Sequence, residues 1–146
     1  MRKIIIYTDG GSRGNPGPSA MGVVFCGENG ESFKKYSECL GEATNNEAEY
    51  AAVIFALKKF KALFGKKLAE NSEIEIKSDS ELLVRQLGGK YKILEPKIQE
   101  FFIVIWNLRI DFKKIKFILI PREKNKEADR LVNEALDGQE KSQKLF

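Results

Sequence analysis

Residues 4–17, "IIIYTDGGSRGNPG", set the reading of the whole chain. Three isoleucines and a tyrosine make a short apolar run bounded by glycines, the pattern of a buried strand over residues 3–9. Asp9 falls at the carboxyl end of that strand, and four glycines follow it within eight residues (Gly10, Gly11, Gly14 and Gly17). A core strand has no packing use for an aspartate. A run of glycines lets the main chain approach something closely.

Working outward, "SAMGVVFCG" (19–27) and "ESFKKYSECL" (31–40) flank the turn "GENG" and read as a hairpin. Residues 44–64 read as a long helix opened by a Thr44/Glu47 capping box. "SEIEIKSD" (72–79) alternates and ends in an acid, which makes it a strand. A short helix over 80–87 stops at Gly88-Gly89, a helix covers 95–112 with Pro96 near its first turn, a strand covers 113–121, and an amphipathic helix covers 123–136 and stops near Gly138. The order β-β-β-α-β-α-α-β-α predicts an α/β fold. Its one five-stranded mixed sheet has three antiparallel strands, then two parallel ones, flanked by helices. Residues 1–138 form the domain, and 139–146 read as a polar tail that is either loose or docked through Leu145 and Phe146.

Composition narrows the function classes. With 146 residues the chain can bury one real core. Twenty-five Lys and Arg against 21 Asp and Glu give a net charge of +4, which suits a modest nucleic-acid binder or simply a solvated surface. Two cysteines and no histidine exclude a disulfide scaffold and a zinc site. Cys26 and Cys39 fall out of register across the hairpin, Cys26 opposing a residue near 32, so both are expected as free thiols. No apolar run approaches the ~20 residues of a membrane span, and the apolar start is too short for a signal peptide. A reduced, cytoplasmic setting fits best.

Four acids converge where sheets of this kind build sites, at the edge formed by the carboxyl ends of the parallel strands: two from strand ends and two from helices. Asp9 and Asp79 end the first and fourth strands. Glu49 continues the apolar stripe Val53, Ala56, Phe60 of the first long helix, and Asp129 borders the stripe Ala128, Leu131, Val132, Ala135, Leu136 of the last. Each also has a plainer explanation. Asp9 could begin a turn, Asp79 could cap the following helix, and Glu49 and Asp129 could be first-turn acids favoured by the helix dipole. Taken together, four converging carboxylates with no imidazole or thiolate suit a hard cation, Mg²⁺ or Mn²⁺. A pair of such ions supports in-line displacement at phosphorus. The residues alone lead to metal-dependent phosphodiester chemistry.

"YTDGGSRGNPGPSAMG", "TNNEAEYAAV", "IKSDSELLV" and "IPREKNKEADRLVNEA" resemble, in order and over nearly the whole chain, the four sequence blocks of type 1 ribonuclease H. The resemblance implies the ribonuclease H-like fold and hydrolysis of the RNA strand of an RNA–DNA hybrid by two-metal-ion catalysis, giving 5′-phosphate and 3′-hydroxyl ends. It makes Asp9, Glu49, Asp79 and Asp129 the catalytic metal ligands. Gly10, Gly11, Ser12, Arg13, Gly14 and Asn15 become the loop whose backbone meets ribose 2′-hydroxyls. Asn45 and Asn46 match the pair that reaches the hybrid minor groove and backbone. Thr44 and Asn46 belong to a pocket for a DNA-strand phosphate, and for Thr44 a simple helix cap remains open. The implied partner is the hybrid duplex, bound by a monomer with no obligate protein partner.

Two departures from the family pattern stand out. Many relatives carry a histidine before the last catalytic aspartate; here Arg122 occupies the approximate place, as in a histidine-less subgroup. A guanidinium stays protonated and holds phosphate rather than shuttling protons. The Lys-rich protrusion of some bacterial relatives is also missing. Lys90 and Lys92, around Tyr91, either make a smaller DNA contact or belong to a solvated loop. Lys58, Lys59, Lys61, Lys66 and Lys67 read as a solvated face, and Phe101, Phe102 and Trp106 as core. Three rival readings are a DNA-cutting nuclease of the wider fold, a non-catalytic hybrid- or RNA-binding module and a structural domain. The glycine loop and paired asparagines argue against the first and third, and the complete set of acids against the second.

Overall fold

The strands Arg2–Ser12 (β1), Gly17–Cys26 (β2), Ser32–Ala43 (β3), Ser72–Ser78 (β4) and Lys114–Leu119 (β5) form one sheet in the order β3-β2-β1-β4-β5 in the computed structural model, which describes residues 2–144. β1, β2 and β3 pair antiparallel, while β4 is parallel to both β1 and β5, as the element order predicts. Four helices accompany the sheet: Asn45–Glu70 (α1), Glu81–Leu87 (α2), Pro96–Arg109 (α3) and Lys126–Lys144 (α4).

The two sheet faces are covered differently. Ile4, Ile6, Met21, Val23, Ile74 and Ile76 pack with Tyr50, Val53, Leu57 and Phe60 of α1 into the main core. On the opposite face Val24 and Cys26 meet Leu131 of α4, and Ala20 meets Val132 and Leu136. Alternation along the strands sends successive side chains to these two layers. The thiols are free, and Cys26 lies opposite Ser32.

Several expectations are corrected. The strand that begins the chain does not end at Asp9. Gly10, Gly11 and Ser12 continue it, paired with Met21, Ala20 and Ser19 of β2. Two small-residue strands can pair through glycines because the ladder needs only backbone groups. α1 extends beyond 64, with a break at Gly65, whose φ of 85° is open to glycine and costly elsewhere. α4 runs through Gly138 to Lys144, so residues 139–144 are helical; a single helical glycine costs only about 1 kcal/mol relative to alanine. Leu145 and Phe146, whose docking was an open expectation, lie outside the described residues. Trp106 is not core: it is 47% exposed, stacked on Phe102 and Arg109. The buried stripe of α3 is Ile98 and Ile105, with Phe101 and Leu108 packed against it, and Trp106 falls one position off that stripe. Lys61 pairs with Asp111 at 2.5 Å and Lys59 lies over the Tyr36 ring, while Lys58, Lys66 and Lys67 are solvated.

Candidate active site

The parallel pairing of β1 with β4 ends at Tyr7 opposite Lys77, so Asp9 and Asp79 each stand two residues beyond that last pair, level with one another. β1 continues past this point only by pairing with β2 on its other side. Asp79 is released for the site because Ser80 caps α2, its side chain accepting from the Leu83 amide at 3.2 Å. The cap explanation for Asp79 therefore fails, and so does the turn explanation for Asp9.

Glu49 arrives from the other direction. Thr44 and Glu47 form the predicted capping box, which fixes the first turn of α1. That turn rests directly on β1. An added Cβ at Gly10 would lie 2.3 Å from the Ala48 carbonyl carbon and 2.5 Å from the Glu49 amide nitrogen. Only a residue without a side chain admits this approach. It sets Glu49, 7% exposed, beside Asp9, also 7% exposed. Carboxylate oxygens of Asp9, Glu49 and Asp79 all lie within 4.8 Å of one another. Asp129, half-buried at the first turn of α4, lines the same cleft outside that close group.

Electrostatics follow from this crowding. Burial pushes Asp9 up to about 7, partly offset by a hydrogen bond from Glu49. Glu49 is pushed well above the usual carboxylate range by burial and then by Asp9. Asp79 is raised by burial, with the Asn125 amide and the Arg122 guanidinium pulling it back. Glu49 Oε2 is buried with no hydrogen-bond partner among the described residues. An all-oxygen group of two buried acids and one half-buried acid, with one oxygen unpartnered, fits a hard divalent cation.

The cleft around these acids encloses about 500 Å³ and is lined also by Gly11, Ser12, Arg13, Asn45, Arg122 and Asn133. Ser12 donates its amide to Asn45 Oδ1 at 2.9 Å, and the Asn45 amide donates to Asn15 Oδ1 at 3.0 Å, so the glycine loop is tied to the start of α1. Both amide-group atoms of Asn46 are buried and without a hydrogen-bond partner among the described residues. Arg13 turns its guanidinium to α4, on Asp137 at 2.7 Å and Glu140 at 2.6 Å. Lys90 and Lys92 are exposed on the α2–α3 loop and do not line the cleft.

Sequence reasoning missed Asn125. It is 1% exposed, and its Nδ2 donates to the Thr8 carbonyl at 2.9 Å and to Asp79 Oδ2 at 3.3 Å. It thereby ties the segment before α4 to β1 and orients one of the carboxylates. An asparagine inside the charged run "REKNKEADR" carries no periodic signal, so only its burial reveals it. Asn125→Ala is expected to lower activity by about 10–100-fold, the scale on which the partner that orients a functional carboxylate acts. The same variant is expected to lose about 1–3 kcal/mol in urea unfolding.

Sheet order, helix placement and the carboxylate cluster are those of the ribonuclease H-like fold class. The sequence profile of the Reverse transcriptase-like family matches residues 7–135. LC11-RNase H1, isolated from compost by a metagenomic approach, superposes with a TM-score of 0.87 at 48% identity, covering 95% of this chain and 99% of that one. A crystal structure of LC11-RNase H1 in complex with RNA/DNA hybrid gives a TM-score of 0.88 at 49% identity, over 93% and 98% of the two chains. Ribonuclease HI of Halobacterium salinarum is 38% identical over 135 residues, 92% of this chain and 65% of that protein. The bifunctional protein Rv2228c of Mycobacterium tuberculosis is 35% identical over 93% of this chain, which spans 36% of that protein's length. The chain belongs to the type 1 ribonuclease H family.

Proposed function

We propose that the protein is an endoribonuclease that hydrolyses the RNA strand of RNA–DNA hybrids, leaving 5′-phosphate and 3′-hydroxyl ends. The catalytic domain is residues 1–138, acting as a cytoplasmic monomer, and the rest of α4 continues from it. The observation that carries this reading is the close group Asp9, Glu49 and Asp79, with a buried and unpartnered Glu49 oxygen. Asp9, Glu49, Asp79 and Asp129 would hold two Mg²⁺ or Mn²⁺ ions with substrate bound. Such ions supply charge stabilisation at the scissile phosphate and a nucleophile at neutral pH.

The chain's own groups account for the rest. Gly11 leaves the cleft floor without a side chain, so main chain rather than side chain meets the substrate there, while Gly10 makes room for the first turn of α1. Ser12, Gly14 and Asn15, held to α1 through Asn45, present backbone to ribose 2′-hydroxyls, the groups that separate RNA from DNA. The unpartnered Asn46 amide group supports a role in reading the hybrid, and Thr44 beside it supports a phosphate contact as well as its cap. Arg122, which lines the cleft and pulls on Asp79, holds phosphate with a permanent positive charge. Lys90 and Lys92 add a salt-sensitive contact to the DNA strand.

The test is cleavage of labelled hybrid, double-stranded RNA and double-stranded DNA by the purified protein with Mg²⁺, Mn²⁺ or chelator. Metal-dependent cutting of the RNA strand of the hybrid is expected; cutting of double-stranded DNA instead, or none, overturns the reading. Arg122→Ala is expected to lower the hybrid cleavage rate about tenfold, and an unchanged rate removes Arg122 from the site.

A further inference from the structure

The glycine loop that follows Ser12 is held from two sides. On the α1 side the holders are the Ser12–Asn45 and Asn45–Asn15 hydrogen bonds. On the α4 side, among the described residues, the side chain of the loop that reaches across is Arg13, whose own amide donates to the Pro18 carbonyl at 2.8 Å and closes the loop on itself. Its guanidinium meets three acceptors: Glu140 Oε1 at 2.6 Å, Asp137 Oδ1 at 2.7 Å and Asn133 Oδ1 at 3.4 Å. Positions 133, 137 and 140 are spaced four and three apart, so they form one face of α4 turned to the loop. Glu140 joins this face because the helix continues through Gly138; a stop there would remove it from reach.

We propose that Arg13 is the α4 anchor of the substrate loop, and that Asp137 and Glu140 are positioning residues for hybrid binding rather than solvated helix acids. The proposal rests on the hybrid-cleaving reading above. Two carboxylates already face one guanidinium, so Arg13 has no surplus charge to offer a phosphate, and its fork is seated on separate acceptors through both terminal nitrogens. One exposed ion pair contributes little to stability. Here the consequence is geometric: a loop that must bring main chain to a 2′-hydroxyl is fixed at both flanks before substrate arrives, which reduces the ordering cost of binding. Substrate affinity is thus coupled to the last turns of a helix whose catalytic acid lies at its other end.

The test compares Arg13→Gln, the double variant Asp137→Asn/Glu140→Gln, and all three changes combined. Two readouts are used: KM and kcat on a hybrid, and hydrogen–deuterium exchange of residues 12–17 without substrate. The anchor predicts that Arg13→Gln and the double variant each raise KM about three- to tenfold with kcat within about twofold. It also predicts that the combined variant is no worse than either and that exchange of the loop quickens in all three. If the double variant instead lowers KM while Arg13→Gln raises it, Arg13 is a phosphate ligand held in check by α4, and the anchor is overturned. Unchanged KM and unchanged exchange overturn it equally. The exchange measurement needs no activity, so a wild-type protein that fails to cut hybrid refutes the activity reading alone.

Discussion

Asp9→Asn is expected to abolish hybrid cleavage while making the metal-free protein more stable at pH 8. The loss follows from removing a charged carboxylate oxygen at the centre of the group proposed to hold the metal ions; a drop of about a thousandfold or more is the scale for such a deletion. The stability gain follows from the pKa. Burial holds Asp9 at about 7 in the folded protein, well above its ordinary value of 3.8. Between those values the folded state keeps a proton that the unfolded chain releases, so stability falls as pH rises from about 4 to about 7. Above pH 7 the folded protein carries a buried charge beside Glu49 and Asp79, and the full cost is expressed. At about 1.4 kcal/mol per pKa unit, and with part of the crowding shared by Glu49, the cost is about 2–4 kcal/mol. An asparagine of the same shape carries no charge to bury. Urea unfolding in chelator at pH 5 and pH 8 checks this: the variant's advantage grows with pH, and Mg²⁺ raises the stability of the wild type more than that of the variant. A variant that is less stable than wild type at pH 8 would mean that Asp9 is not crowded by like charges.

The antagonism between stability and site chemistry explains which parts of the fold could be read from sequence. Strands such as "IIIYT" and "SEIEIKS" announce themselves through apolar runs and alternation because the core dictates them. The four acids were legible for the opposite reason: each breaks the local pattern where packing gives it no use. Their grouping into a close three with Asp129 at the margin was not legible, because it depends on the angle between α1, β1 and α4. Asn125 was invisible for a related reason, since a buried asparagine in a charged run looks like any solvated one. Gly138 misled because a glycine after an amphipathic stripe is the ordinary signal for a helix end. The helix continues because one helical glycine costs only about 1 kcal/mol, and Glu140, beyond it, meets Arg13, more than a hundred residues away in sequence. Trp106 misled because an aromatic at near-core spacing was given to the stripe it only borders.

Gly10 and Gly11 look equivalent in sequence, and the structure separates them sharply. The two are neighbours in β1 and point to opposite faces of the sheet. At Gly10 a methyl group would sit 2.3–2.5 Å from backbone atoms of Ala48 and Glu49, and backbone cannot swing aside as a side chain can. Gly10→Ala therefore has to push the first turn of α1 off the sheet. The expected cost is about 3 kcal/mol or more, the scale of an overpacked core position. Activity is expected to fall further than stability alone explains, because the displaced turn carries Glu49 away from Asp9. At Gly11 the nearest atom to an added methyl is Val132 Cγ1 at 3.6 Å, an ordinary contact. Gly11→Ala is expected to fold with stability unchanged or higher by about 0.5 kcal/mol, since alanine restricts the unfolded chain more than glycine does. Its effect belongs to substrate: a methyl on the cleft floor raises KM for hybrid. Denaturation curves and cleavage kinetics on the two variants separate the roles. Equal stabilities would show that α1 does not rest on β1 as described, and the close approach that brings Glu49 to Asp9 would have to be replaced by some other contact.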